Sequence, residues 1–307
     1  MIPIILVTGF LGSGKTTLLQ EIHKKNHQRR IVYLVNDYSV RDVDGSFFSN
    51  TDRKVISVAG GSIFCTCKVG EFVSKLNGIR EMERDGSNPV EGLVIEASGI
   101  ANPTVIRTLL NDSGMNRFYK LNNIISVADP ISFPLLKQTL PNIVQQIKNA
   151  GDIILNKSDL TGANEIEKII LQIKKINDKA AVHVTQHCRI RFNPLDSNEY
   201  DFQESSSDSM HEPDVAYSKF SIQIRKPVNL GRLKELIKNN PKIFYRIKGF
   251  IIDDKKNMWH LDYSVSSGLK LDSAESIGHP HLEFIFSSDN VEKTIKRLNL
   301  FSREGFQ

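Results

Sequence analysis

Three glycines, a serine, a lysine and a threonine fall within eight residues near the start of the chain, in Gly9-Phe10-Leu11-Gly12-Ser13-Gly14-Lys15-Thr16, with Thr17 next. The spacing is G-x-x-x-x-G-K-[ST], directly after an apolar run and directly before a segment of helical period. Glycines let successive backbone N–H groups turn inward around an anion, and a helix starting near Lys15 adds the positive end of its dipole. The chemistry is polyphosphate binding. Gly9, Gly12, Ser13, Gly14 and Thr17 would line or flank the cradle, and Lys15 would reach the β- and γ-phosphates. The Thr16 hydroxyl would ligate Mg²⁺, a hard cation that prefers oxygen donors.

A second group is Asn156-Lys157-Ser158-Asp159, spaced N-K-x-D at the end of a strand-like run. The Asp159 carboxylate can accept from both the ring N–H and the exocyclic amine of guanine, whereas adenine offers an acceptor at the ring position. Lys157 can lay its stem over the purine plane, and Asn156 can bridge back to the phosphate loop. The base is therefore guanine and the ligand GTP. Between the two groups, Val94-Ile95-Glu96-Ala97-Ser98-Gly99 ends a buried strand in a carboxylate. Glu96 would hold Mg²⁺ directly or through water, and the Gly99 N–H would sense the γ-phosphate.

The remaining candidates are carboxylates and thiols. Asp37, Asp42 and Asp44 follow the second strand-like run, where a nucleotide-sensing loop would sit, and are candidates for positioning water or supporting Mg²⁺. Cys65 and Cys67 lie in a glycine-rich stretch. Two thiolates suit Zn²⁺ or Co²⁺ but need further donors to complete a tetrahedral site, such as Asp37, Asp42 or Glu71. The alternative is two small residues packing in a loop. The eight histidines are scattered and none is assigned as a ligand.

These residues need a scaffold that gathers strand ends. Apolar runs of strand length alternate with helical segments up to about Thr185, which predicts α/β architecture with a mostly parallel sheet flanked by helices. Strands are expected at Ile2–Val7, Ile31–Asn36, Val55–Ala59, Val90–Glu96, Ile124–Ala128, Ile153–Asn156 and Val182–Thr185. Helices are expected at Lys15–Lys25, Glu71–Met82, Thr104–Leu110, Ile143–Lys148 and Glu165–Ile176. From Arg191 to Asp214 the composition turns to Asn, Ser, Asp, Glu and Pro, as in a linker. Beyond it the pattern reads β-α-β-β-β-α, a small α+β domain. The expected division is 1–190 for the nucleotide domain, 191–214 for the linker and 215–307 for the C-terminal domain.

Composition narrows the function classes. The chain has 307 residues, 40% hydrophobic and 24% charged, enough for two domains with real cores. A net charge of +5, with basic and acidic residues interspersed, does not indicate a nucleic-acid partner. No apolar run approaches the ~20 residues of a membrane crossing. The chain opens without a secretory pattern, and three cysteines do not make a disulfide framework, so the expected compartment is the cytoplasm.

With these motifs assembled, the chain resembles the CobW-type GTPases, P-loop proteins of metal homeostasis and of metal or corrinoid cofactor pathways. Besides Gly9–Thr17, the likeness includes Asn36-Asp37 through Asp44, Gly60–Lys68, Glu96 to Pro103, Val127–Asp129, Gln145–Leu160 and Arg246–Phe250. The resemblance implies slow GTP hydrolysis coupled to delivery of a metal ion or metal-containing cofactor to a client protein, with the C-terminal segment as that family's smaller domain. One departure matters. The family commonly carries Gly-Cys-x-Cys-Cys, but here the stretch is Gly61-Ser62-Ile63-Phe64-Cys65-Thr66-Cys67, with only Cys65 on a cysteine position, and Asp37 replaces the usual Glu. This leaves open an activator of a corrinoid- or other cofactor-dependent enzyme with no metal cargo. A small-molecule kinase using the same phosphate loop is a third reading, without support from the guanine motif. No water-orienting glutamine or arginine finger can be assigned, so intrinsic turnover should be slow, with acceleration coming from homodimerisation or the client.

Overall fold

A computed structural model describes residues 1–37, 55–59, 68–84, 89–196, 217–240, 243–265, 267–274 and 280–287, and all but 293 and 297 between 291 and 298. Contacts divide the chain into two units, Met1–Pro134 with Pro141–Met210, and Leu135–Leu140 with His211–Gln307.

Among the described residues, the first unit is built on a seven-stranded sheet. Its strands are β1 (Ile2–Gly9), β2 (Ile31–Asp37), β3 (Val55–Ala59), β4 (Gly92–Glu96), β5 (Tyr119–Ala128), β6 (Asp152–Leu155) and β7 (Ala181–Val184), in the order β3-β2-β4-β1-β5-β6-β7. Every pairing is parallel. Parallel strands need crossover connections, so both faces are covered and the central strands are nearly continuous in Ile, Leu and Val. Ile4 and Leu6 of β1 point to one face, with Phe72, Leu76 and Ile79 of α2 (Val69–Arg84) and Ile106 and Leu109 of α3 (Val105–Asp112). Ile5 and Val7 point to the other, with Leu18, Leu19 and Ile22 of α1 (Lys15–Lys25). The alternation of β1 against the i, i+1, i+4 spacing of α1 thus closes the core around the strand that carries the phosphate loop. Further along, α4 (Phe133–Thr139) straddles the division between the units at Pro134, and α5 (Pro141–Lys148) and α6 (Ala163–Ile176) belong to the first.

Several details differ from the sequence expectation. The helix Phe133–Thr139 was not expected, because Pro134 lies within it and its apolar spacing is short. The strand expected from Ile124 begins at Tyr119, since the polar Lys120, Asn122 and Asn123 break the apolar run. Residues 191–196, where the composition turns polar, are packed: Leu195 joins the core with Cys188 and Ile190, and Asn193 exchanges side-chain amide bonds with Asn26.

In the second unit, strands β8 (Tyr217–Gln223), β9 (Phe244–Ile252), β10 (Met258–Ser264), β11 (Gly268–Ser273) and β12 (His281–Ser287) form an antiparallel sheet ordered β11-β10-β9-β12-β8. Its core face carries Ile247, Leu261, Phe284 and Phe286, packed with Leu233 and Ile237 of α7 (Leu230–Lys238) and with Leu298. The described residues between 291 and 298 are helical. The sheet has one strand more than the expected β-α-β-β-β-α. The addition, β11, is an edge strand with only Leu269 and Leu271 turned inward, too weak an alternation to read from sequence.

Candidate functional site

Parallel strands deliver all their carboxyl ends to one edge of the sheet, and the sequence motifs lie there. The register aligns Val7 with Glu96, Gly9 with Val127, and Ala128 with Leu155, so the loops after β1, β4 and β6 leave the same edge of the sheet. Gly9, Gly12 and Gly14 all have positive φ, at 136°, 78° and 116°. At Gly9 a Cβ would lie 2.2 Å from the Val127 carbonyl oxygen, and at Gly14 it would lie 2.4 Å from Asn156 Nδ2. Both demands, left-handed backbone and close approach, exclude a side chain.

Where the loop carbonyls go decides where its N–H groups point. The Asn156 Nδ2 donates to the Ser13 carbonyl at 2.9 Å, and the Cys188 thiol donates to the Gly14 carbonyl at 3.3 Å. Asn156 is itself held, its Oδ1 accepting from the Cys188 N–H at 2.8 Å and from the Thr185 hydroxyl at 3.4 Å. Its amide therefore has one orientation. The segment that makes this hold, after β7, includes two successive non-glycine residues with left-handed backbone, His187 (φ 53°) and Cys188 (φ 52°). Burial pushes the Cys188 thiol up to about 12, with the Glu21 charge adding to the shift and Lys157 opposing it. It is a neutral donor at any physiological pH.

On the other side of the loop, Lys15 is 7% exposed, with Nζ 3.4 Å from the Phe10 carbonyl and 4.0 Å from Glu96 Oε1. The Thr16 hydroxyl lies 3.5 Å from Glu96 Oε2. A cation, a carboxylate and a hydroxyl thus meet at the start of α1. Two oxygen donors side by side, one of them charged, are the donor chemistry of a hard divalent cation, so Thr16 and Glu96 fit Mg²⁺. Ser13 Oγ is buried and has no hydrogen-bond partner among the described residues, which suits a loop whose donors await phosphate oxygens.

Beyond Glu96, Gly99 sits against the phosphate loop: a Cβ there would fall 2.7 Å from the Leu11 nitrogen. Lys157 takes a left-handed conformation (φ 60°) and opens the 3-10 turn Ser158–Leu160, in which Asp159 is exposed. Asp37 ends β2, and its side chain lies outside the described residues, as do Asp42, Asp44, Cys65 and Cys67. Among the described residues no three His, Cys, Asp or Glu side chains cluster as a metal site. Sequence reasoning gave no role to Cys188, Thr185, Asn142 or Gln146. For Gln146 a signal existed, since it interrupts the apolar stripe Ile143-Gln146-Ile147 of α5.

A glycine-walled cradle between a parallel strand and a helix, with lysine, hydroxyl and carboxylate at its mouth, defines a P-loop nucleotide-binding protein. The family model of the CobW/HypB/UreG nucleotide-binding domain matches residues 3–184. The chain belongs to that family. It is 26% identical over 246 residues to the zinc chaperone YjiA of Escherichia coli (strain K12), covering 78% of this chain and 76% of that protein. It is 29% identical over 199 residues to zinc-regulated GTPase metalloprotein activator 1 of Schizosaccharomyces pombe, covering 62% of this chain but 47% of the relative. Among solved structures, Zn(II)-bound YjiA GTPase from E. coli aligns with a TM-score of 0.48 at 22% identity, covering 98% of this chain and 99% of that one.

Proposed function

We propose that the chain is a GTP-driven metal chaperone, which couples hydrolysis of GTP to delivery of zinc to a client metalloprotein. It is a GTPase. The observation that carries the reading is the Asn156 amide on the Ser13 carbonyl, which ties the guanine-type tetrapeptide to the phosphate loop. Asp159 and Lys157 would then select the base, while Gly9, Gly12, Ser13, Gly14, Lys15, Thr16 and Thr17 hold the phosphates. Mg²⁺, held by Thr16 and Glu96, would neutralise charge on the phosphate oxygens. Lys15 would move from Glu96 towards the β- and γ-phosphates, and the loop amides would stabilise charge developing on the transferred group. With no water-orienting residue assigned beyond the candidates Asp37, Asp42 and Asp44, hydrolysis should be slow until a client or a second copy completes the site.

Zinc as cargo is supported by the names of the relatives, a zinc chaperone and a zinc-regulated activator. Cys65 and Cys67 are the proposed cargo ligands. The second reading, an activator that remodels a cofactor-dependent enzyme without carrying metal, is favoured by Ser62 and Phe64 in the segment where the family pattern has more thiols. Among the described residues no helix is long and apolar enough to cross a membrane, and the cytoplasm is the proposed compartment. Residues 1–190 and 215–307 are the proposed domains.

The test is phosphate release from GTP and ATP in parallel, followed by zinc transfer to a chelating reporter with and without GTP. Preference for GTP together with GTP-dependent transfer that disappears in Cys65→Ser/Cys67→Ser supports the chaperone. GTP hydrolysis with no zinc bound at all supports the metal-free activator, and equal use of ATP sinks both.

A further inference from the structure

The loop after β4 is anchored through its carbonyls. The Ser98 carbonyl accepts from the Ala101 N–H at 3.0 Å. The next three are taken by side-chain amides of α5: Asn142 Nδ2 donates to Ile100 O at 2.8 Å, and Gln146 Nε2 donates to Ala101 O at 3.0 Å and, more weakly, to Gly99 O at 3.4 Å. A trans peptide carries its N–H on the side opposite its C=O. Gln146 on the Gly99 carbonyl turns the Ile100 N–H the opposite way, and Asn142 on the Ile100 carbonyl fixes the peptide whose Ala101 N–H holds the Ser98 carbonyl, which turns the Gly99 N–H away from that bond. Neither the Gly99 nor the Ile100 N–H has an acceptor among the described residues. The Gly99 backbone itself abuts Leu11 of the phosphate loop.

Gln146 is 1% exposed and stands in a helix stripe where the neighbouring core positions are Ile143 and Ile147. A buried amide in an apolar position is costly unless satisfied, and what satisfies its nitrogen is this one loop. We propose that Gln146 and Asn142 are positioning residues that aim the Gly99 and Ile100 N–H groups at the terminal phosphate of GTP, and so set the preference for GTP over GDP. This rests on the GTP reading above. The two amides act through the loop and do not touch the nucleotide. Because GDP lacks the phosphate those N–H groups would meet, their misalignment affects GTP alone. A purely structural role would weaken both nucleotides together.

The test compares Gln146→Met, which keeps the side-chain volume, and Asn142→Ala, at a half-buried position, with wild type. Kd is measured by calorimetry for GDP and for guanosine 5′-(β,γ-imido)triphosphate, both with Mg²⁺, and kcat and KM are measured for GTP. Each variant should bind GDP within about twofold of wild type and lose about tenfold in affinity for the triphosphate analogue, the scale of one or two well-placed hydrogen bonds. The kcat should fall as well. Equal losses for both nucleotides, or no loss for either, overturn the inference while leaving the GTP reading intact. A wild-type protein that binds neither guanine nucleotide overturns the GTP reading and this inference with it.

Discussion

Asn156 and Ser13, 143 positions apart in sequence, are joined by a 2.9 Å hydrogen bond from a buried side-chain amide to a backbone carbonyl. The bond fixes the peptide between Ser13 and Gly14 with its oxygen towards the base-side loop, which turns the Gly14 N–H the other way. One side chain thereby orients the Gly14 N–H and holds the Asn156–Asp159 tetrapeptide beside the loop.

Removing that amide should act on both functions at once. Asn156→Ala is expected to weaken GDP and GTP binding together by about 10- to 100-fold, because orphaning buried carbonyl and N–H partners costs about 1–3 kcal/mol. Calorimetry with each nucleotide checks it. A selective loss for one nucleotide would contradict the shared role.

At the mouth of the cradle, Lys15 and Thr16 both face Glu96. Lys15→Ala should lower kcat for GTP by at least about 100-fold, as expected for loss of a charge that stabilises the transferred phosphoryl group. Thr16→Ala should instead raise the Mg²⁺ concentration needed for half-maximal phosphate release. If Mg²⁺ titrations of Thr16→Ala and wild type coincide, the hydroxyl is not a ligand.

Gly9 is a test of backbone conformation. An alanine there would combine φ near 136° with a Cβ 2.2 Å from a carbonyl oxygen. Gly9→Ala should lower stability by about 1–3 kcal/mol or more, read from urea denaturation, before any effect on nucleotide binding is considered.

Cys188 makes a pH-dependent contribution whose sign follows from burial. Its folded value, about 12, lies above the ordinary 9.0, so the native state keeps a proton that the unfolded chain gives up. Its contribution is complete below pH 9 and is lost as pH rises towards 12. In a Cys65→Ser/Cys67→Ser background, iodoacetamide should leave the native thiol unmodified at pH 8 and label it after unfolding. Rapid native labelling would mean that the thiol is not where the Gly14 carbonyl holds it.

In the C-terminal unit, Asp253 closes the turn between β9 and β10. Its carboxylate accepts from Trp259 Nε1 at 2.9 Å and from the Lys255 and Asn257 N–H groups at 2.9 and 2.8 Å. The Trp259 bond foremost, with the Asn257 and Lys255 bonds, holds its pKa below the usual 3.8 against the opposing effect of burial. The contribution is present above that value and should disappear as pH falls through the lower folded one. Trp259 is the single tryptophan of the chain, so its fluorescence reports on the hairpin directly. Asp253→Ala should shift the emission at pH 7 and abolish the shift that wild type shows on acidification.

Much of the first unit was legible because parallel strands buried on both faces leave long apolar runs. Ile2–Val7 and Val90–Glu96 carried enough Ile, Leu and Val to be read as strands, and the structure extends the first to Gly9 and begins the second at Gly92. Elements whose burial is one-sided or interrupted were not legible. β11 turns only Leu269 and Leu271 inward, α4 contains Pro134, and the start of β5 is polar. The phosphate loop could be read because its constraint is local, glycines at positions of forced backbone conformation. Cys188, Asn142 and Gln146 could not be assigned roles, because their partners are the backbone carbonyls of distant loops.

The amino-acid order by itself determined the cradle, the guanine-type tetrapeptide and the alternation of strands and helices, since each depends on residues within a few positions of one another. Only the tertiary structure decided that the amide of Asn156 lies on the carbonyl of Ser13, that Thr16 and Lys15 meet Glu96, and that α5 supplies the amides that anchor the Gly99 loop. Such contacts join residues 42 to 143 positions apart. They exist because a parallel sheet brings the carboxyl ends of non-consecutive strands to one edge, where buried carbonyls and amides must find one another in place of water.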